Sequence, residues 1–158
     1  MDELARGNLQ PGILDPKCIK ACGAVFLSLD TGRCLLQLRN SKKKHRHTWG
    51  FFGGIIDSGE SPYECLQREL TEEMGFVPEL HKLNPLDTYQ SKDKRFMYYS
   101  FAYIVDKEFM PTLNNESAGY AWVNIGVWPK PLHEGCKATL ERNSGTTKLH
   151  TILSINNQ

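Results

Sequence analysis

The chain has 158 residues, 40% apolar and 23% charged, which suits one globular domain with its own core and excludes a disordered or fibrous chain. Its 19 basic and 18 acidic side chains leave a formal net charge of +1, which gives no support for bulk binding to nucleic acid or an anionic membrane. Five cysteines, at 18, 22, 34, 65 and 136, include no C-x-x-C pair, so they read as reduced core residues rather than a disulfide framework or zinc ribbon.

The opening six residues, MDELAR, lack the basic-then-apolar pattern of a leader, and no apolar run reaches membrane-spanning length. A cytoplasmic, reducing compartment is therefore expected. Residues 1–17 mix Gly, Pro and polar side chains and read as an irregular arm; residues 18–158 read as a single domain. Strand signals begin at Cys18 and run to Leu29, a turn follows at Asp30, Thr31 and Gly32, and residues 34–38 complete a hairpin. A basic stretch, 41–47, leads into the aromatic, glycine-rich run WGFFGG at 49–54.

The clearest helix signal follows Ser61. Ser61 can cap, Pro62 suits the first helical position, and Glu64 stands where a capping box needs it. Gly75 can take the left-handed conformation that ends the helix. Three further strands are expected, at 86–90, 96–105 and 120–125, with a hydrophilic loop at 111–119. Residues 136–155 read as partly helical, interrupted around Gly145.

At 100 degrees per residue, Tyr63, Leu66, Leu70 and Met74 fall in an arc of roughly 80 degrees, the stripe expected to face a core. Glu69, Glu72 and Glu73 share a neighbouring arc of roughly 100 degrees. Carboxylates at these spacings repel one another and weaken a helix by a few tenths of a kcal/mol per pair. A divalent cation reverses that sign, because hard cations take oxygen ligands and bridge carboxylates to substrate phosphates. A bare E-x-x-E-E run alone would read as a solvated acidic face. Its surroundings change that reading.

Gly54, Glu60, Arg68, Glu69, Leu70, Glu72, Glu73, Gly75 and Phe76 match the pattern G-x5-E-x7-R-E-U-x-E-E-x-G-U at every fixed position, U being a bulky apolar residue. By these residues the chain resembles the Nudix hydrolases, over roughly residues 18–130. The resemblance implies an α/β fold: an α/β/α sandwich on a mixed β-sheet, with a catalytic loop-helix-loop over residues 54–76. It implies Mg2+ as cofactor, with Mn2+ able to substitute, held by Glu69 and Glu73, with Glu72 sharing the site and the Gly53 carbonyl as a further ligand. Arg68 would orient Glu69 through a salt bridge, and Glu60 would brace the loop. Glu116, ahead of Trp122, resembles the family's loop glutamate that binds metal or takes the proton of the attacking water. Where the family commonly has proline before Gly53, this chain has Phe52.

Candidate substrate contacts are Arg39, at the end of the second strand; Lys44 and Arg46, in the basic stretch; and Trp49 and Phe51, which could stack on a base. The implied reaction is hydrolysis of the diphosphate linkage in a nucleoside diphosphate linked to X, the X being that of ADP-ribose, a nucleotide sugar or a dinucleoside polyphosphate. Triphosphate pyrophosphohydrolysis is the main enzymatic alternative; an RNA cap or end hydrolase and a non-catalytic nucleotide-binding module stand further off. The expected partner is a small nucleotide-type substrate, with no membrane, nucleic acid disfavoured and a homodimer left open.

Overall fold

The computed structural model describes residues 18–40 and 47–157. The arm expected at 1–17 and the candidate contacts Lys44 and Arg46 lie outside the described residues.

The axis of the fold is β1 (Ile19–Ser28), whose sequence IKACGAVFLS is apolar on both sides of the pleat. Successive side chains point to opposite faces. Ala21, Val25 and Leu27 enter one core cluster, while Cys22, Ala24 and Phe26 enter another. A strand buried on both faces needs cover on both, and this accounts for the layers. After a turn closed by the Gly32 N–H donating to the Ser28 carbonyl at 2.8 Å, β2 (Arg33–Arg39) returns antiparallel as expected.

Next come β3 (Trp49–Gly50), paired with β2, and β4 (Phe52–Ile55), antiparallel to β1 from Ala21 to Ala24. The strand β6 (Phe96–Val105) runs parallel to β1 along its whole length, and β5 (Lys82–Gln90) lies on the outer edge of β6. Finally β7 (Ser117–Asn124) pairs antiparallel with β2, giving a mixed seven-stranded sheet among the described residues.

One face is covered by α1 (Pro62–Met74), which buries Cys65, Leu66, Leu70 and Met74 against Phe26, Phe52 and Tyr103. The other is covered by the C-terminal segment: α2 (Glu134–Lys137), a π-helical turn (Ala138–Arg142) and α3 (Gly145–Asn156), which contribute Cys136, Leu140, Leu149 and Ile152. Fully burying a Leu, Ile, Met or Phe side chain stabilises by roughly 1.5–3 kcal/mol, so the two clusters hold the layers together. The expected α/β sandwich is what forms. No helix among the described residues is long and apolar enough to cross a membrane.

Three expectations change in detail. The first late strand starts at Lys82 rather than Leu86, because Pro85, which looks like a breaker, sits at a register shift on an edge strand that needs no donor from it. The last strand starts at Ser117, shortening the loop before it. Tyr63 is 46% exposed, although its angle puts it on the apolar stripe. Helical angle fixes a side chain's direction, not whether a neighbouring layer reaches the first turn. Phe52, where the resembled family has proline, packs edge-on against Phe26 with ring centroids 5.7 Å apart.

Candidate active site

The helix α1 starts and stops where its sequence says. The Ser61 hydroxyl accepts the Glu64 N–H at 3.1 Å, and the Glu64 carboxylate accepts the Ser61 N–H at 2.9 Å. Gly75 adopts φ 76° and donates its N–H to the Thr71 carbonyl, a geometry that costs other residues more. With both ends fixed, the register of the carboxylates is fixed.

The helix lies close to the sheet at its glycines. Cys65 meets Cys22 of β1 with Sγ–Sγ 2.8 Å, and its sulfur is 3.6 Å from the Gly54 carbonyl. A Cβ on Gly54 would run into the carboxyl group of Glu69. The signature glycine leaves the space that this carboxylate occupies.

Arg68 ties loop to helix. Its guanidinium grips Glu60 with two hydrogen bonds, Nε at 2.7 Å and Nη2 at 3.0 Å, and donates to the Ile55 carbonyl at 3.0 Å and to Glu69 at 2.8 Å. Glu72 is 3.4 Å from the same group and more than half exposed, so it lies on the rim. Arg68 above all, helped by the Asp57 N–H, pulls the Glu60 carboxyl down to about 2, keeping it ionised and the loop braced.

Glu73 is only 3% exposed, and its Oε1 accepts the Gly53 N–H at 3.1 Å. Burial first, and then the charges of Glu69 and Glu116, push its carboxyl up to about 9, against the Gly53 N–H and Arg39. Burial also raises Glu69, opposed by Arg68 and reinforced by Glu72 and Glu116. Glu69, Glu73 and Glu116 therefore share one field, with Arg39, at the end of β2, as a fixed cation beside it. Helix and loop bring their carboxylates together.

Glu116 immediately precedes β7, and its backbone is held at both ends. Its N–H donates to the Asn114 side-chain oxygen at 2.8 Å, and its carbonyl accepts the Asn40 N–H at 3.0 Å. The Asn114 amide also donates to the backbone carbonyl of Glu72 at 3.0 Å. Neither asparagine was expected from the sequence to matter. The signal available was an Asn two residues before the loop glutamate, the spacing at which Asx side chains bond their own backbone.

Two aromatic candidates part company. Trp49 on β3 is partly buried, its backbone bonded to Pro131 and His133. Phe51 is 4% exposed, with its ring stacked on Tyr98 at 6.2 Å. It completes the core and has no face to offer a base.

Among the described residues no three His, Cys, Asp or Glu side chains form a ready-made cation cage. The donors nevertheless suit a hard divalent cation. They are all oxygens, they repel one another, and one is a buried carboxylate lacking a full countercharge. Mg2+ characteristically takes one or two carboxylates and completes its shell with water and substrate phosphate, so an open platform fits it better than a cage.

Residues 19–141 match the family described as NUDIX domain. Among solved structures, a MutT NUDIX hydrolase from Burkholderia pseudomallei is 23% identical, with 78% of this chain and 95% of that one covered and a TM-score of 0.61. A MutT protein from Methanosarcina mazei Go1 is 19% identical, covering 89% and 98%, with a TM-score of 0.65. The NUDIX domain of Shewanella oneidensis NrtR, solved with ADP ribose, is 19% identical, covering 94% and 98%, with a TM-score of 0.64. These likenesses show the fold. A stretch of 39 residues is 44% identical to an RNA pyrophosphohydrolase of Aeromonas hydrophila, spanning 25% of this chain and 22% of that protein.

Proposed function

The chain belongs to the NUDIX family, and on that premise we propose that it is a Mg2+-dependent pyrophosphohydrolase of a nucleoside diphosphate linked to a second group. The observation that carries this reading is the buried Glu73 carboxylate, raised to about 9 in the field of Glu69 and Glu116. A fold keeps such a group uncompensated only at a cost in stability, and a cation together with substrate phosphates supplies the compensation.

When bound by Glu69, Glu73, the rim carboxylate Glu72 and the Gly53 carbonyl, the metal supplies Lewis acidity toward phosphoryl oxygens and an acidified water. The chain's own residues do the rest. Arg68 fixes the rotamer of Glu69 while Glu60 and the Ile55 carbonyl hold the guanidinium. Glu116 takes the proton as water oxygen bonds to one phosphorus and the bridging P–O bond breaks, releasing two phosphorylated products. Arg39 offers positive charge to the departing phosphate. Trp49 is the remaining aromatic available to a base, and Lys44 and Arg46 are further candidate contacts to phosphate.

ADP-ribose occupies the NUDIX domain of the Shewanella protein, so it heads the compounds to test. Nucleotide sugars, dinucleoside polyphosphates, nucleoside triphosphates and 5′-capped or triphosphorylated RNA complete the panel, the RNAs because of the short RNA pyrophosphohydrolase match. Incubation with Mg2+ and product analysis by 31P NMR should show two phosphorylated fragments from a diphosphate-bridged compound. Exclusive release of pyrophosphate from triphosphates would replace this substrate class; turnover of nothing in the panel would reduce the chain to a binding module.

A further inference from the structure

Glu116 lies outside the signature helix, on a polar loop, yet its carboxylate shares a field with Glu69 and Glu73. Something must set that separation. One side chain touches both parts. The Asn114 Nδ2 donates to the Glu72 carbonyl in the last turn of α1 at 3.0 Å, while its Oδ1 accepts the Glu116 N–H at 2.8 Å. Asn40 secures the far side, donating its Nδ2 to the Asn115 carbonyl at 2.7 Å and its N–H to the Glu116 carbonyl at 3.0 Å.

We propose that Asn114 is a positioning residue that sets the distance of the Glu116 carboxylate from the helix carboxylates by bridging the backbones of Glu72 and Glu116. An amide suits this task because it both donates and accepts within one rigid plane. A carboxylate at 114 would turn an acceptor toward the Glu72 carbonyl. A hydroxyl could keep the short bond to Glu116, as a Ser does in its local turn, but is too short to reach the helix. The inference rests on the reading of Glu116 as proton acceptor, and the test separates the two.

The experiment is a double-mutant cycle on the full chain with a turned-over substrate, using Asn114→Ala, Asn114→Ser, Glu116→Gln and the pairs with Glu116→Gln. Asn114→Ala should lower kcat roughly tenfold to a hundredfold with little change in KM, since displacing a reacting group by about 1 Å costs that much. Asn114→Ser should be nearly as slow, because it keeps the local turn and loses the helix. In the Glu116→Gln background neither substitution should slow the enzyme further, the non-additivity expected of one residue acting through another. Amide exchange at Glu116 should accelerate in Asn114→Ala even without substrate.

Full activity in Asn114→Ser, or an Asn114→Ala effect undiminished beside Glu116→Gln, would overturn the bridge. Near-normal turnover of Glu116→Gln alone would instead remove the base assignment, and the bridge with it. Melting curves identify a variant that has merely unfolded, and the Ser variant then carries the comparison.

Discussion

Glu73 sits on α1 with its side chain buried, one hydrogen bond from the Gly53 N–H, and two other carboxylates in its field. Its carboxyl is raised from 4.5 to about 9 in the folded chain, so the folded state binds more protons than the unfolded state across that interval. Stability from this group is complete below 4.5 and is lost as pH rises toward 9. Glu73→Gln keeps the shape and removes the titration. Without metal, the variant and the parent should melt together near pH 4, and the variant should melt progressively higher between pH 5 and pH 9. Its kcat should fall by orders of magnitude, since metal stabilisation of the transition state supplies several kcal/mol. Paired melts across that pH range decide the matter; a variant less stable than the parent at high pH would make Glu73 a structural residue. Glu60 titrates with the opposite sign: held down to about 2, first by Arg68, it adds stability that is complete above 4.5 and is lost as pH falls from there to about 2.

At the scale of elements, α1 was legible in sequence because its signals are local. Ser61, Pro62, Glu64 and Gly75 act within one turn of themselves, and all of them behave as expected. Ser61→Ala should cost about 1 kcal/mol and lower the melting temperature by roughly 2–4 °C. An unchanged melt would mean that packing of Leu66, Leu70 and Met74, rather than the cap, fixes the helix start. Elements shaped by distant partners were less legible. The extension of β5 past Pro85 depends on its being the edge strand beside β6, which no local pattern reveals. Phe51 and Trp49 stand two residues apart in one aromatic run; partners far along the chain, Tyr98 and Cys136 among them, place Phe51 in the core. The Asn114 bridge was invisible for the same reason, since its second partner is a backbone carbonyl 42 residues away.

For the whole molecule, the doubly buried β1 calls for helices on both faces of the sheet, and one of those helices carries the carboxylates. The sheet brings Arg39 and Glu116 to the same place from β2 and from the loop before β7, which pair antiparallel with Arg39 opposite Ser117. Candidate residues from three separate parts of the chain are thus brought near one another by strand register; Arg39 and Glu116 could be named from the sequence by resemblance, but the pairing that brings them there could not. The charges of Glu72 and Glu116 act on Glu69, and those of Glu69 and Glu116 act on Glu73; a divalent cation is the partner proposed for that cluster. The most direct measurement is the hydrolysis rate of the best panel substrate while Mg2+ is removed by a chelator and then restored. Turnover should vanish in excess chelator and return with added Mg2+ or Mn2+, and undiminished turnover with the metal stripped away would contradict the metal-holding role of Glu69 and Glu73.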